Sequence, residues 1–274
     1  MAKLHMLKSV TDTINTSFIF ETKEGIFVLD GGFPSEAPYM YEYLKGLGGK
    51  VEAWFLTHAH DDHVGCLLKI LEEHPDIGVG KIYYNFPSEE FAVAGEPRQS
   101  RMTTAELYGN LYALTEKRGV PRISVTAGDE LCLGEISVRV LRTPNENITV
   151  NRINNSSTVY RFEINGKSLL FLGDLGVEGG RELLENVDHA LIKSDYVQMA
   201  HHGQQGVERE VYEAIHPHFT FWCTPTWLWD NKSGRNGAYD TGDFKTIIVR
   251  GWMSELRCVE RHYLMFGGTQ IIEL

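Results

Sequence analysis

An α+β fold of two β-sheets packed face to face, with helices outside, is predicted from three observations. Strand-like and helix-like segments are interspersed along 274 residues, each half of the chain carries its own hairpin, and 42% of the residues are hydrophobic, enough for a sizeable core. Segments 17–21 and 25–30 flank the polar turn Thr22-Lys23-Glu24, and the second ends in Asp30-Gly31-Gly32. A helix ended by glycines follows over 38–47, then an apolar strand over 51–56. Beyond it, apolar residues at Val64, Leu67, Leu68, Ile70 and Leu71 have helical spacing. Strands over 81–85, 131–133 and 136–141 and a helix over 104–117 complete the first half. In the second, 157–164 and 168–172 form a hairpin about Asn165-Gly166-Lys167. Helix 178–187, strand 195–199, helix 207–215, strand 218–223, a helix in 243–256 and two strands in 258–274 follow. The stretches 87–101 and 229–243 read as loop insertions rather than linkers.

No internal repeat or biased linker divides the chain, so 1–274 reads as one domain. The net charge is −11, from 26 basic and 37 acidic residues, and the basic residues form no run. Tracking of long nucleic acid is therefore not expected, and a small-molecule substrate is. Four scattered cysteines, Cys66, Cys132, Cys223 and Cys258, form no Cys-x-x-Cys pair and read as reduced thiols. Residues 1–10 lack a signal-peptide core, and no apolar run reaches membrane-span length. The expectation is a cytoplasmic protein that does not enter a membrane.

The chemistry concentrates in Thr57-His58-Ala59-His60-Asp61-Asp62-His63, three histidines and two aspartates in seven residues. Imidazole and carboxylate are the ligands that divalent zinc, iron or manganese accept. In an extended chain His58 and His60 point to one side and can grip one ion. Asp62 and His63, at the start of the next helix, turn toward a second position. Three more strand ends carry ligand types: Asp30, Asp174 after Leu172-Gly173, and His201-His202-Gly203. Taken singly, Asp30 and Asp174 also fit turn residues, and the histidine pair a capping or core role.

Together these segments resemble the metallo-β-lactamase superfamily of metal-dependent hydrolases, whose His-x-His-x-Asp-His motif is matched by residues 58–63. Residues 154–162, 169–174 and 200–203 look most like the hydrolase domain of ComEC-type DNA-uptake proteins and their stand-alone relatives, with phosphorylcholine esterases similar in arrangement. The resemblance implies an αββα four-layer sandwich with two divalent metal ions, zinc first and iron or manganese as alternatives. It places His58 and His60 on the first ion, Asp62, His63 and His202 on the second, and Asp174 on both. Asp30 would orient a ligand histidine by hydrogen bonding. Many members have a further histidine between 141 and 157; here Asn154 or Asn155 stands instead, which leaves the first ion more open.

Such a pair of ions lowers the pKa of a bridging water and supplies a hydroxide nucleophile, so hydrolysis is the expected chemistry, on a phosphoester and first a phosphodiester. Asp62 can orient that nucleophile, and His201 can contact a phosphoryl oxygen or protonate the leaving group. A lactone, lactam or thioester is the alternative substrate, and a metal-binding regulatory module without turnover the non-enzymatic one. Trp227 and Trp229 are candidates for a substrate pocket that stacks on a base or faces a cation. His216 and His218, about Pro217, are expected to be structural.

Overall fold

The computed structural model describes residues 2–95 and 102–274. In chain order the strands of one sheet are β1 (Lys3–Met6), β2 (Ser17–Thr22), β3 (Gly25–Asp30), β4 (Lys50–Phe55), β5 (Gly78–Val79), β6 (Ile82–Tyr84) and β7 (Arg122–Ser124). Those of the other are β8 (Glu130–Leu133), β9 (Ile136–Arg142), β10 (Val159–Ile164), β11 (Lys167–Phe171), β12 (Tyr196–Gln198), β13 (Phe219–Trp222) and β14 (Arg261–Leu264). The last strand, β15 (Gln270–Glu273), crosses back to the first sheet and pairs with β1. Laterally the sheets run β15-β1-β2-β3-β4-β6-β7, with β5 beside β4, and β14-β13-β12-β11-β10-β9-β8.

Both sheets change character in the middle. β1 to β3 and β8 to β11 are antiparallel meanders, whereas β3, β4, β6 and β7, like β11 to β14, are parallel. Parallel strands need crossovers, and the crossovers here are helices. Helices α1 (Ala37–Gly46), α2 (Asp61–Glu73), α3 (Glu89–Val93) and α4 (Thr104–Arg118) belong to the first half; α5 (Val177–Asn186), α6 (His189–Ile192), α7 (Arg209–Ile215), α8 (Thr226–Trp229) and α9 (Thr246–Glu255) belong to the second.

Period-2 alternation sorts each strand between two apolar layers. In β3, Phe27 and Leu29 face the other sheet while Ile26 and Val28 face the helices; in β11, Leu169 and Phe171 face inward and Leu170 outward. The layer between the sheets is aromatic: Phe20 stacks on Phe162 at 4.7 Å, and Phe18 meets Phe171 at 5.0 Å, edge to face. Met40, Leu44, Leu67, Leu71, Leu107 and Leu111 pack on the outer face of the first sheet; Leu183, Val211, Ile215, Val249 and Met253 pack on the second. The result is the expected αββα order.

Three differences from the sequence expectation have local causes. β1, with four residues, is too short to show a period and exists because β2 and β15 pair with it on both sides. Helices α3, α6 and α8 are one turn or so, below the length at which an apolar stripe repeats. Of the expected loop 87–101, α3 occupies the start and 96–101 lie outside the described residues. Among the described residues no helix is long and apolar enough to cross a membrane.

Candidate metal centre

Strand β3 ends at Asp30, whose left-handed backbone (φ 52°) turns the carboxylate back under the neighbouring strand end. Its Oδ1 accepts from the Thr57 backbone N–H at 2.9 Å, and its Oδ2 accepts from Thr57 Oγ1 and from His63 Nδ1, both at 2.7 Å. A proton on Nδ1 leaves the His63 Nε2 lone pair free for a metal. His60 is the N-cap residue of α2, so Asp61, Asp62 and His63 form its first turn. The chain bends at 58–59 instead of running extended, yet His58 Nε2 and His60 Nδ1 still come within 3.0 Å.

The second half uses tighter backbone. Gly173 has φ 58°, and a Cβ there would meet Ser157 Oγ at 2.8 Å; that hydroxyl accepts from the Asp174 N–H at 3.0 Å. His201, His202 and Gly203 are three consecutive left-handed residues, at φ 51°, 57° and 79°. For the two histidines this costs about 1–2 kcal/mol each. Tertiary contacts offset it: His201 N donates to Gly173 O at 3.0 Å, Thr224 Oγ1 donates to His202 O at 2.5 Å, and Gly203 lies so close to Trp222 that a Cβ would be 2.4 Å from the ring. Buried Gln198 bridges the two ligand-bearing turns. Its Oε1 accepts from Leu172 N at 3.0 Å, and its Nε2 donates to Gly173 O at 3.0 Å and Met199 O at 2.6 Å.

These elements bring together every residue of the expected ligand set. His63 Nε2 lies 3.1 Å from Asp174 Oδ1, and His202 Nε2 lies 3.3 Å from Asp174 Oδ2 and 3.2 Å from Asp62 Oδ2. His58 Nε2 is 3.8 Å from Asp174 Oδ2. Two groups that can hold a metal ion follow, Asp62-His63-Asp174-His202 and His58-His60-Asp174, each with its ligand atoms within 4.8 Å of one another. Asp174 belongs to both.

The donor atoms suit cations. His63 Nε2 and Asp174 Oδ1 are buried and make no hydrogen bond, even to each other, as expected of two atoms aimed at a shared ion. For the chain's own charges alone, burial would depress the His202 pKa, but Asp174 and Asp62 outweigh it and raise it to about 8. Burial is likewise outweighed at His63, where Asp174 and Asp30 hold the imidazole well above its usual range, and at Asp174, where His202 and His63 hold the carboxyl well below. His58 goes the other way, pushed down by burial and by His63. Carboxylates that favour cationic imidazoles here would favour a metal cation in place of those protons.

The remaining candidates separate. His201 Nδ1 donates to Gln205 O at 2.7 Å, because a carbonyl can only accept; neutral His201 therefore presents a lone pair at Nε2, to which Asn154 Nδ2 donates at 3.3 Å. Nε2 is 3.9 Å from Asp174 Oδ2, and burial lowers the His201 pKa. Asn154 thus faces the centre, whereas Asn155 is committed elsewhere. Its Oδ1 accepts from Gly176 and Gly179 N–H at the start of α5, and its Nδ2 donates to Val150 O and Glu178 Oε2. Trp229 packs against Trp222 and Phe266 and carries the Arg250 guanidinium on its ring at 4.0 Å, which corrects the expectation that this ring is open for stacking. Trp227 donates to Asp12 O at 3.1 Å and braces Phe244. His218 pairs with Glu260, and His216 caps α7. Thr57, Gln198 and Thr16, whose Oγ1 is 3.3 Å from His202 Nδ1, were not singled out in the sequence. Thr57 opens the tract but is not one of its ligand types; the other two carry no sequence signal.

A family model described as the metallo-beta-lactamase superfamily matches residues 10–218. The chain belongs to the metallo-beta-lactamase superfamily. Among curated relatives it is 30% identical over 171 residues to ComE operon protein 3 of Bacillus subtilis, covering 62% of this chain and 19% of that protein. It is 42% identical over 59 residues to Ribonuclease J of Thermus thermophilus, covering 18% of this chain and 10% of that protein. The chain thus spans a small part of both relatives. The metallo-beta-lactamase fold protein YhfI from Bacillus subtilis superposes over 100% of both chains with a TM-score of 0.55 at 10% identity, a likeness of fold.

Proposed function

We infer that this superfamily member is a metal-dependent hydrolase of phosphoesters, with phosphodiesters first. One observation carries the reading: two buried histidine-carboxylate groups that share Asp174, with His63 Nε2 and Asp174 Oδ1 left without hydrogen bonds. His58, His60 and Asp174 would hold a first divalent ion, and Asp62, His63, His202 and Asp174 a second, with zinc favoured by the imidazole-rich set. Bound there, such ions supply Lewis acidity toward an ester oxygen and make water nucleophilic near neutral pH.

The chain's own groups do the rest. Asp30 and Thr16 orient His63 and His202, and burial of the candidate ligand side chains strengthens the charge interactions among them. Asp62 orients the attacking water. His201 accepts a hydrogen bond or proton at Nε2, a better match to its Gln205 bond than delivery of a proton to the leaving group. Water adds at phosphorus, the ester P–O bond breaks, and an alcohol leaves with one of the water's protons. Support for phosphorus over carbonyl carbon comes from the first group, which among the described residues has three members and so leaves room for substrate oxygens, and from the likeness to a protein named a ribonuclease.

The test is metal analysis of the purified protein together with a panel of phosphodiester, lactone, thioester and lactam. Two equivalents of metal with phosphodiester turnover are expected; turnover is lost and bound metal falls below two equivalents in His58→Ala and Asp62→Asn, with metal retained in His201→Ala. Turnover of a lactone or thioester alone would move the substrate class. Loss of metal in His201→Ala but not in His58→Ala would overturn the ligand assignment, and metal without any turnover would favour a regulatory module.

A further inference from the structure

A cleft of about 340 Å³ opens beside the metal centre, and His201 is common to both. Val150, Val177, Glu178, Asp243 and Phe244 are among its other lining residues. His201 is 22% exposed, whereas of the candidate ligands His60 is 8% exposed and the side chains of His58, His63, Asp62, Asp174 and His202 are at most 2% exposed. A substrate that reaches the centre past His201 therefore places one of its ester substituents in this cleft.

The lining sets what that substituent can be. None of the described lining residues is Lys or Arg, while Glu178 and Asp243 contribute two carboxylates. The helix N-terminus in the wall, that of α5, is already answered, with Glu178 in its first turn and Asn155 Oδ1 taking the Gly176 and Gly179 N–H groups. It offers an incoming anion little. Apolar area comes from Val150, which is 59% exposed, and from Val177 and Phe244, the last braced from behind by Trp227. The volume lies at the small end of the roughly 300–1,000 Å³ typical of ligand sites. A polynucleotide would set its next phosphate against the two carboxylates; a compact uncharged group would cover the apolar wall.

We propose that this cleft is a substituent subsite selecting phosphodiesters whose second ester group is small and carries no negative charge, so that the substrates are small organic phosphodiesters and not nucleic acid strands. The proposal rests on the phosphoester reading above and adds the substrate class to it.

The experiment uses two esters that differ in one charge, p-nitrophenyl phenyl phosphate and its 4-carboxyphenyl counterpart, with the metal-loaded protein and its Asp243→Lys variant. A wild-type preference of about 5- to 10-fold in kcat/KM for the uncharged ester is expected, falling to about twofold or inverting in Asp243→Lys, which changes the charge at this exposed position by two units. Equal rates for the two esters, an unchanged ratio in Asp243→Lys, or faster hydrolysis of a single-stranded oligonucleotide would overturn it. Calorimetric binding of phenylphosphonate against 4-carboxyphenylphosphonate reads the same preference without turnover. Preferential binding without hydrolysis would sink the phosphoester reading and keep the subsite; hydrolysis without preference would do the reverse.

Discussion

Residues 58–63 deliver four of the expected ligands, His58, His60, Asp62 and His63, from a single bend that runs into the first turn of α2, while Asp174 and His202 arrive singly from the ends of β11 and β12. The two sources meet the same electrostatic need by different means. The first half spends less backbone strain: Asp30 alone among its site residues is left-handed, His60 has extended φ and ψ, and a helical first turn is ordinary geometry. The second relies on left-handed residues at 173 and 201–203, held by Gln198, Ser157, Thr224 and Trp222. A contiguous ligand tract can be positioned by local structure, whereas dispersed ligands depend on the sheet being assembled first.

The comparison is broken most severely at Asp174, the residue both groups share. Asp174→Ala is expected to reduce bound metal from two equivalents to one or none and to lower turnover by about 10³-fold or more. Elemental analysis that still finds two ions would show that the halves bind independently. Gly203→Ala strains the second half only, through a positive φ and a Cβ driven into Trp222, and a loss of about 2–4 kcal/mol in chemical denaturation is expected. If stability were unchanged, the turn would not be under the constraint described.

Asp30→Asn weakens the first half without removing a ligand. It should lower metal affinity or kcat by about 10- to 100-fold with little change in fold, because His63 loses its charged hydrogen-bond partner while Thr57 can keep its own. Thr16→Val probes the equivalent support of His202. Its contact is longer, at 3.3 Å, so an effect of only about threefold on metal affinity is expected, and a deficit as large as that of Asp30→Asn would mean that the two halves are supported alike. Least of all, Trp229→Ala should leave the Michaelis constant within about twofold while destabilising the α9 layer, since its ring is already packed between Arg250 and Trp222. A large rise in the Michaelis constant would return Trp229 to the substrate pocket.

The elements legible beforehand were those with a periodic signal. Both hairpins, the strand before the metal tract, α4 and α5 lie within a residue or two of their expected bounds, and α2 contains the apolar spacing of 64–71 with Asp62 and His63 in its first turn, since alternation and helical spacing are local properties. Strand β1 was not legible, because a four-residue segment becomes a strand only when two neighbours pair with it.

The same division runs through the site. Sequence alone determined that residues 58–63 form a metal-type tract at a helix start, and likeness to a family tied it to Asp174 and His202, because residue type and spacing carry ligand chemistry directly. Only the tertiary structure decided that Asn154 faces the centre while Asn155 holds the start of α5, that Trp229 is packed away, and that His201 keeps its lone pair on Nε2. The Asn154, Asn155 and Trp229 outcomes depend on groups brought together across tens of residues, and the four-residue His201–Gln205 bond depends on a left-handed turn held by tertiary contacts; neither leaves a period in the chain.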